Sequence, residues 1–217
     1  MLRTTTDRPT PAAGMVLVLV VLQAFAPLVD AYTVTITAAN PRMLYLQVGA
    51  GSFTGGNYNA GGTPANNTTI NVVSVTVPAA QVGNGTAQAM TTNSTASNSF
   101  LDGFAFCNVP AQLYVGGFYR STSASGSATL TATSPANLVN ATGQTIPFNR
   151  ISWTSSGNGD TGAQPFPAGT FVGGTQTIGT ISRNQWAESC HTFSYANTSF
   201  AASGSYTGRV TYTLSSP

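Results

Sequence analysis

The feature that most constrains the fold of this chain is a two-residue alternation of apolar side chains with threonine and serine. The alternation is clearest near the C-terminus, where Tyr206, Val210, Tyr212 and Leu214 are separated by polar residues or glycine. Because side chains along a strand point to opposite faces of a sheet in turn, this pattern predicts a strand with one buried face. We therefore expect residues 204–214 to form an ordered strand that packs against the core.

Similar alternating segments recur along the chain, with Gly, Asn and Pro between them, and no segment after the N-terminal apolar run shows a sustained helical period. Roughly eight to eleven short strands joined by such turns predict one all-β domain, an antiparallel β-sandwich with immunoglobulin-like topology. A jelly roll is the alternative topology. Residues 168–174 and 175–183 are expected to form a hairpin around Gly173 and Gly174. The other predicted strands are residues 32–38, 43–48, 68–78, 100–108, 112–120, 127–135, a strand within 146–160, and 190–196.

The N-terminus predicts export. Arg3 and Arg8 precede an apolar run, Met15 to Val29, and small residues follow up to Ala31. This arrangement is typical of a secretory signal peptide cleaved after Ala31. A membrane anchor is the competing interpretation, but the run is about 15 residues long, shorter than the roughly 20 that span a bilayer. We expect residues 1–31 to be the signal peptide, residues 32–217 to be the secreted or surface domain, and no membrane segment to remain after cleavage.

Two cysteines, Cys107 and Cys190, are present in the chain. In an exported protein an even pair of cysteines predicts one disulfide. A metal or redox site is the competing interpretation, but the chain has no CxxC motif and only one histidine. The spacing therefore favours a structural disulfide, and we expect no metal and no cofactor.

Charged residues are few, which excludes several functions. The chain contains no lysine, and its arginines are scattered rather than clustered. Because nucleic-acid binding needs Lys and Arg concentrated on one face, no nucleic-acid partner is expected. Phosphate cradles of the GxxxxGK[ST] type are excluded by the same lack of lysine.

Catalysis also receives little support from the residues available. His191 is the only histidine and adjoins Cys190, and no GxSxG motif surrounds a serine. Glycosidase chemistry needs two facing carboxylates, for which the mature chain offers only Asp102, Asp160 and Glu188. Since both aspartates lie in Gly-rich contexts typical of turns, we expect a protein that is not an enzyme.

Sugar binding is a second hypothesis, in which the protein is a monomeric secreted carbohydrate-binding or adhesin module. Aromatic side chains offer stacking platforms, but Trp153 and Tyr114 lie in strand patterns that favour packing in the core. Tyr58 differs because it lies in a Gly- and Asn-rich loop that is too polar for a core strand. We name Tyr58 as the candidate ligand contact.

The ends of the chain resemble those of secreted fimbrial subunits of the chaperone–usher type. The C-terminal sequence GSYTGRVTYTL is similar to the Gly-x-Tyr-x-x-x-Val-x-Tyr/Val-x-Leu strand of the spore-coat-U-like branch. The matching positions are Gly204, Tyr206, Val210, Tyr212 and Leu214. The segment IPFNRISW is similar to a strand in the middle of that family. Unlike many pilins, this chain has no cysteine near its predicted mature N-terminus.

This resemblance implies a pilin-like subunit. In such pilins the immunoglobulin-like sandwich lacks one strand, and the N-terminal extension of the next subunit fills the gap. Carried over to this chain, the donated side chains would be Tyr32, Val34, Ile36 and Ala38. The alternative is that residues 32–38 pair within their own sheet. A pilin-like subunit would associate with copies of itself or with other surface subunits. A monomeric module would instead have a glycan partner.

Overall fold

The computed structural model describes residues 42–50, 70–122, 126–157 and 162–217. The chain divides into two units, Met1–Thr37 and Ala38–Pro217, and every described residue belongs to the second. The predicted signal peptide, the candidate donor residues Tyr32, Val34, Ile36 and Ala38, and the candidate ligand contact Tyr58 lie outside the described residues.

The described part of the chain is built from thirteen strands and two single 3-10 turns, Ala79–Gln81 and Phe148–Arg150. It contains no α-helix, and no helix in it is long and apolar enough to cross a membrane. The strands are β1 (Arg42–Val48), β2 (Val73–Ser74), β3 (Gln88–Ala89), β4 (Thr91–Thr92), β5 (Leu113–Ser121), β6 (Ser127–Thr133), β7 (Asn137–Val139), β8 (Thr145–Pro147), β9 (Ile151–Ser156), β10 (Gly169–Thr170), β11 (Thr175–Ser182), β12 (Gln185–Tyr195) and β13 (Thr211–Ser215).

Two antiparallel sheets form the body of the molecule. The larger sheet has the order β1-β5-β12-β9-β10, and β3 pairs with the end of β12. The smaller sheet has the order β11-β6-β13. Two short ribbons, β2-β4 and β7-β8, complete the described structure. The predicted all-β antiparallel sandwich is therefore confirmed.

The core lies between the inner faces of these sheets, and the alternating patterns explain which side chains fill it. On β6, Ala128, Leu130 and Ala132 are fully buried, while the threonines between them are partly exposed. On the larger sheet, Trp153 and Phe193 face the same core and pack against Phe171. The prediction that Trp153 packs in the core is confirmed.

Two predicted strands are wrong or much shorter in the structure. Of the segment 68–78 the structure describes residues 70–78, and among these only Val73–Ser74 forms a ladder, with the two residues of β4. The predicted strand at residues 100–108 is wrong, since residues 100–102 form a turn and Ala105 makes only an isolated bridge with Asn98. The Asp102 side chain accepts a hydrogen bond from the Phe104 amide at 3.0 Å, and Gly103 has a positive φ of 79°. Asp-Gly strongly favours a turn, and this preference outweighs the aromatic content that suggested a strand.

The predicted hairpin around Gly173 and Gly174 is also wrong. β10 pairs with β9 in the larger sheet, whereas β11 pairs with β6 in the smaller sheet. Gly173, with a φ of 71°, therefore lies where the chain passes from one sheet to the other. A two-glycine turn marks a change of direction, but it does not determine whether the flanking strands pair with each other.

The C-terminal strand is shorter than predicted, since β13 begins at Thr211 rather than at residue 204. Thr207 forms an isolated antiparallel bridge with Val139 of β7 instead, with both backbone hydrogen bonds at 3.0 Å. The chain therefore contacts the β7-β8 ribbon first and joins the smaller sheet only at Thr211. The exposed Arg209 lies in this intervening segment.

Candidate functional site

One of two candidate functional regions is a loop that lies across the outer face of the larger sheet. Cys190 of β12 points away from the core and is joined to Cys107 by a disulfide, with the two Cα atoms 5.5 Å apart. The predicted pairing of these cysteines is confirmed. Together with Ala96 and Tyr114, the disulfide forms a small apolar cluster separate from the main core. The disulfide therefore holds residues 94–107, which we call the strapped loop, over the sheet.

Glu188 lies at the edge of the strapped loop, on the outer face of β12, and its carboxylate is held by three donors. Its Oε2 atom accepts hydrogen bonds from the Tyr114 hydroxyl at 2.6 Å, the Trp186 indole N–H at 2.7 Å and the Ser99 hydroxyl at 3.0 Å. The Glu188 side chain is partly exposed. We call these four residues the Glu188 cluster. Hydrogen bonds to a charged acceptor are stronger than neutral ones, so three of them fix the carboxylate in one orientation.

Gly116 is what allows Tyr114 to reach this carboxylate. Gly116 is the next outward-facing residue on β5, and its backbone pairs with both Gln47 and Glu188. The phenol of Tyr114 lies directly over it, so a Cβ at this position would collide with the Tyr114 hydroxyl and ring. Burial raises the pKa of Tyr114 above its ordinary value, and the hydrogen bond to Glu188 raises it further. The phenol is therefore a permanent donor to Glu188 at any physiological pH.

The Trp186 ring of the Glu188 cluster is partly exposed and lies beside a second partly exposed ring, that of Tyr45. Tyr45 of β1 and Trp186 of β12 stack with their ring centroids 5.4 Å apart and their planes inclined at 27°. Both residues pair with Phe118 of β5, so the three side chains form one row across the outer face of the sheet. The Tyr45 hydroxyl donates to Oε1 of the buried Gln47 at 3.3 Å. A ring surface thus lies beside the carboxylate.

The second candidate region lies between the two sheets, where β1 approaches β13. Cα atoms of these two strands come within 8 Å of each other. Among the described residues, β1 hydrogen-bonds in a ladder only with β5, and β13 only with β6. We call these two facing sheet edges, taken together, the edge cleft. The apolar residues of β1 and of residues 210–214 pack against the core but remain partly exposed, and they are Leu44, Leu46, Val48, Val210, Tyr212 and Leu214.

The predicted C-terminal residues take different positions around this cleft. Val210, Tyr212 and Leu214 line it, and Leu214 packs across the sandwich towards Gly117 of β5, where a Cβ would lie 3.6 Å from Leu214 Cδ2. Tyr206 packs against the core beside the β7-β8 ribbon and donates its hydroxyl to the Ala202 carbonyl at 3.1 Å. Gly204 is exposed and lies outside the strand. The alternation therefore predicts the facing correctly but not the extent of pairing.

His191 is the only histidine of the chain, and the structure places it in the core. Its ring is fully buried, stacks on Trp153 at 5.7 Å and hydrogen-bonds through Nε2 to the Phe166 carbonyl at 3.1 Å. Nδ1 has no hydrogen-bond partner among the described residues. Burial lowers the pKa of His191 to about 4, and the bond to Phe166 opposes that effect only in part. A ring in this position has no contact with a substrate in solution.

The Glu188 cluster was missed by reasoning from the sequence. Asp102 lies in a turn, as predicted. Glu188, in contrast, is the central residue of a set of side chains that come from distant parts of the chain. Ser99 precedes it by 89 residues and Tyr114 by 74. The one local signal was Trp186 two residues before Glu188, a spacing that places both side chains on the same face of a strand.

Comparisons of this chain with models of known protein families, with curated proteins and with solved structures found no match in any of the three.

Proposed function

We propose that this protein is an exported structural surface protein, a pilin-like subunit that assembles by donating a β-strand to a neighbouring copy. The observation that carries the proposal is the edge cleft. Its lining side chains point into the sandwich, yet they remain partly exposed, whereas the corresponding residues of β5 and β6 are fully buried. These partly exposed apolar side chains at two sheet edges are the surface that a strand added to either edge would cover.

Strand donation stabilises a cleft of this kind in two ways. An added strand supplies partners for edge backbone groups, and its inward-facing side chains complete the apolar core. Full burial of a Leu or Val side chain contributes roughly 1.5–3 kcal/mol, so covering the exposed minority of each lining residue contributes at most about 1 kcal/mol. Summed over the lining residues, the apolar contribution is on the order of a few kcal/mol per donated strand.

The segment that we propose as donor is residues 32–38. Tyr32, Val34, Ile36 and Ala38 alternate with threonines, so an extended strand would present all four apolar side chains on one face. Export through the N-terminal signal would place this segment at or near the new N-terminus, which is where a donated extension must lie. The same sequence pattern also suits a first strand that pairs within its own domain.

Assembly in solution separates donation between copies from pairing within one copy. We expect the exported protein to form oligomers whose mass rises with concentration in sedimentation-velocity experiments. The variant Ile36→Asp should remain folded and monomeric, because a charge on the donated face cannot enter an apolar cleft. Thr35→Asp is the matched control, since its side chain lies on the opposite face, and it should assemble normally.

The acceptor side is tested in the same assay. Val210→Ala should leave a folded monomer with weakened assembly, while Thr211→Ala, at the adjacent exposed position, should behave as the parent protein does. A parent protein that is monomeric at every concentration, and that is destabilised by Ile36→Asp, would show that residues 32–38 pair within their own domain. That outcome would favour the monomeric secreted binding module instead.

A further inference from the structure

The Glu188 carboxylate carries a charge that no group in the described structure balances. The chain has no lysine, and no arginine of the described part forms an ion pair with Glu188. Arg120, on the same outer face, directs Nη1 towards the Met43 sulfur at 3.9 Å. All three hydrogen bonds to Glu188 come from neutral donors and end on Oε2. Among the described residues, Oε1 therefore has no hydrogen-bond partner.

The arrangement around Glu188 restricts the chemistry of a ligand. A partly buried carboxylate repels anions and attracts a positive charge more strongly than a fully exposed one does. A bare metal ion would require several oxygen or nitrogen ligands, and no group of three His, Cys, Asp or Glu side chains occurs in the described part. A neutral sugar would leave the charge of the carboxylate unbalanced. An organic cation with an N–H group balances the charge of Glu188 and donates a hydrogen bond to its Oε1 atom.

The adjoining rings favour the same class of ligand. Tyr45 and Trp186 form the stacked pair beside the carboxylate, and the faces of tyrosine and tryptophan rings attract ammonium groups through their π-electron density. Trp186 contributes its ring while its N–H is donated to Glu188, so the indole is fixed relative to the charge. A carboxylate and aromatic faces in contact are the two components from which ammonium-binding sites are built.

We propose that the outer face of the larger sheet binds an ammonium group, with the Glu188 carboxylate as the anionic partner, whose Oε1 accepts any N–H of the ligand, and the Tyr45–Trp186 pair as the aromatic wall. The ammonium group would come either from a small amine, such as an amino sugar or a quaternary amine, or from a lysine side chain of a partner protein. This inference is independent of assembly, because Tyr45 faces outward while the side chains of the edge cleft face inward.

The two tryptophan side chains make the site directly observable by NMR. The Trp186 indole N–H is bonded to Glu188, whereas the Trp153 indole donates to the Pro167 carbonyl at 2.9 Å within the core. Titration of the ¹⁵N-labelled exported protein with choline, glucosamine or Nα-acetyl-lysine amide should shift the Trp186 indole signal saturably and leave the Trp153 signal unchanged. The Trp186→Phe variant assigns the two signals.

Removal of the charge tests the proposal without disturbing the local structure. Glu188→Gln keeps an acceptor for Tyr114, Trp186 and Ser99, and it should weaken ammonium binding about tenfold or more. Asp102→Asn removes the same charge from the exposed turn and should leave the affinity unchanged. Saturation by choline or glucosamine identifies a small-amine site, and saturation by the lysine derivative alone identifies a protein partner.

The proposal is overturned by any of three results. The first is the absence of a saturable Trp186 shift with every amine. The second is an equal shift with N-acetylglucosamine, which has no ammonium group and would indicate recognition of a neutral sugar. The third is unchanged affinity in a Glu188→Gln variant whose circular dichroism spectrum matches that of the parent.

Discussion

His191 should make the stability of this protein depend on pH in a specific window. The ring is fully buried between aromatic side chains, and its Nδ1 atom has no hydrogen-bond partner among the described residues. Protonation would place a charge in the core and leave a buried N–H without an acceptor. Burial therefore lowers the pKa of His191 to about 4, from an ordinary value of 6.5 in the unfolded chain.

The sign and size of the effect follow from this difference. Between pH 6.5 and pH 4 the unfolded chain binds a proton at His191 that the folded protein does not bind, so the free energy of unfolding falls as the pH falls. Below about pH 4 both states are protonated and the decrease ends. A difference of about 2.5 pKa units corresponds to a loss of about 3 kcal/mol between pH 7 and pH 4. That is a large fraction of the stability of an ordinary domain.

Urea denaturation of the disulfide-intact protein at a series of pH values measures this loss. His191→Leu is the comparison, because leucine cannot titrate and the Phe166 carbonyl keeps its hydrogen bond from the Ser155 hydroxyl at 2.6 Å. The carboxylates titrate in both proteins, so the difference between their pH profiles isolates the histidine. The reasoning is refuted if the two profiles run parallel from pH 7 to pH 4, or if the His191 ring titrates near pH 6.5 by NMR.

Two further predictions concern the strapped loop and the Glu188 cluster. Gly116→Ala should lower the free energy of unfolding by about 1–3 kcal/mol, because its Cβ displaces the Tyr114 phenol and leaves buried polar groups without partners. Gly162→Ala, where a Cβ meets nothing within 4 Å, should have little effect, and a similar loss in both variants would contradict this explanation. Replacing Cys107 and Cys190 together by alanine should lower the free energy of unfolding by about 4.5 kcal/mol in the loop-entropy model for a separation of 83 residues. Chemical denaturation measures that change, and unaltered stability would show that the loop is held by its other contacts alone.

Part of the architecture follows from the sequence alone. β6 is an example, because the alternation of alanine and leucine with threonine permits only one arrangement of buried and exposed faces. The disulfide also follows, since a chain with two cysteines has a single possible intramolecular pairing. Trp153 is placed correctly by its spacing from Ile151 along one strand. These features depend on local period and residue count.

Strand pairing was decided only by the tertiary structure. The segments on either side of Gly173 carry patterns that fit a hairpin, yet β10 pairs with β9 and β11 pairs with β6. The local sequence determines which face of a strand is apolar, but the partner is chosen by contacts with strands far away in the chain. The same reason explains the end of the molecule, where Thr207 pairs with Val139 and β13 starts only at Thr211.

The Glu188 cluster shows most clearly which features the sequence predicts and which only the tertiary structure decides. Leu113, Tyr114 and Val115 are all buried, so the period-two pattern fails there and does not reveal that Tyr114 faces away from the main core. It is buried because the strapped loop covers the outer face of the sheet, and that loop is held by a disulfide and by the bond from Ser99 to Glu188. The sequence by itself determined that this chain forms strands and which side chains they bury on the core side. Only the packing of a distant loop onto the opposite face brought a carboxylate, a phenol and an indole together, because that contact depends on three-dimensional proximity and not on any local period.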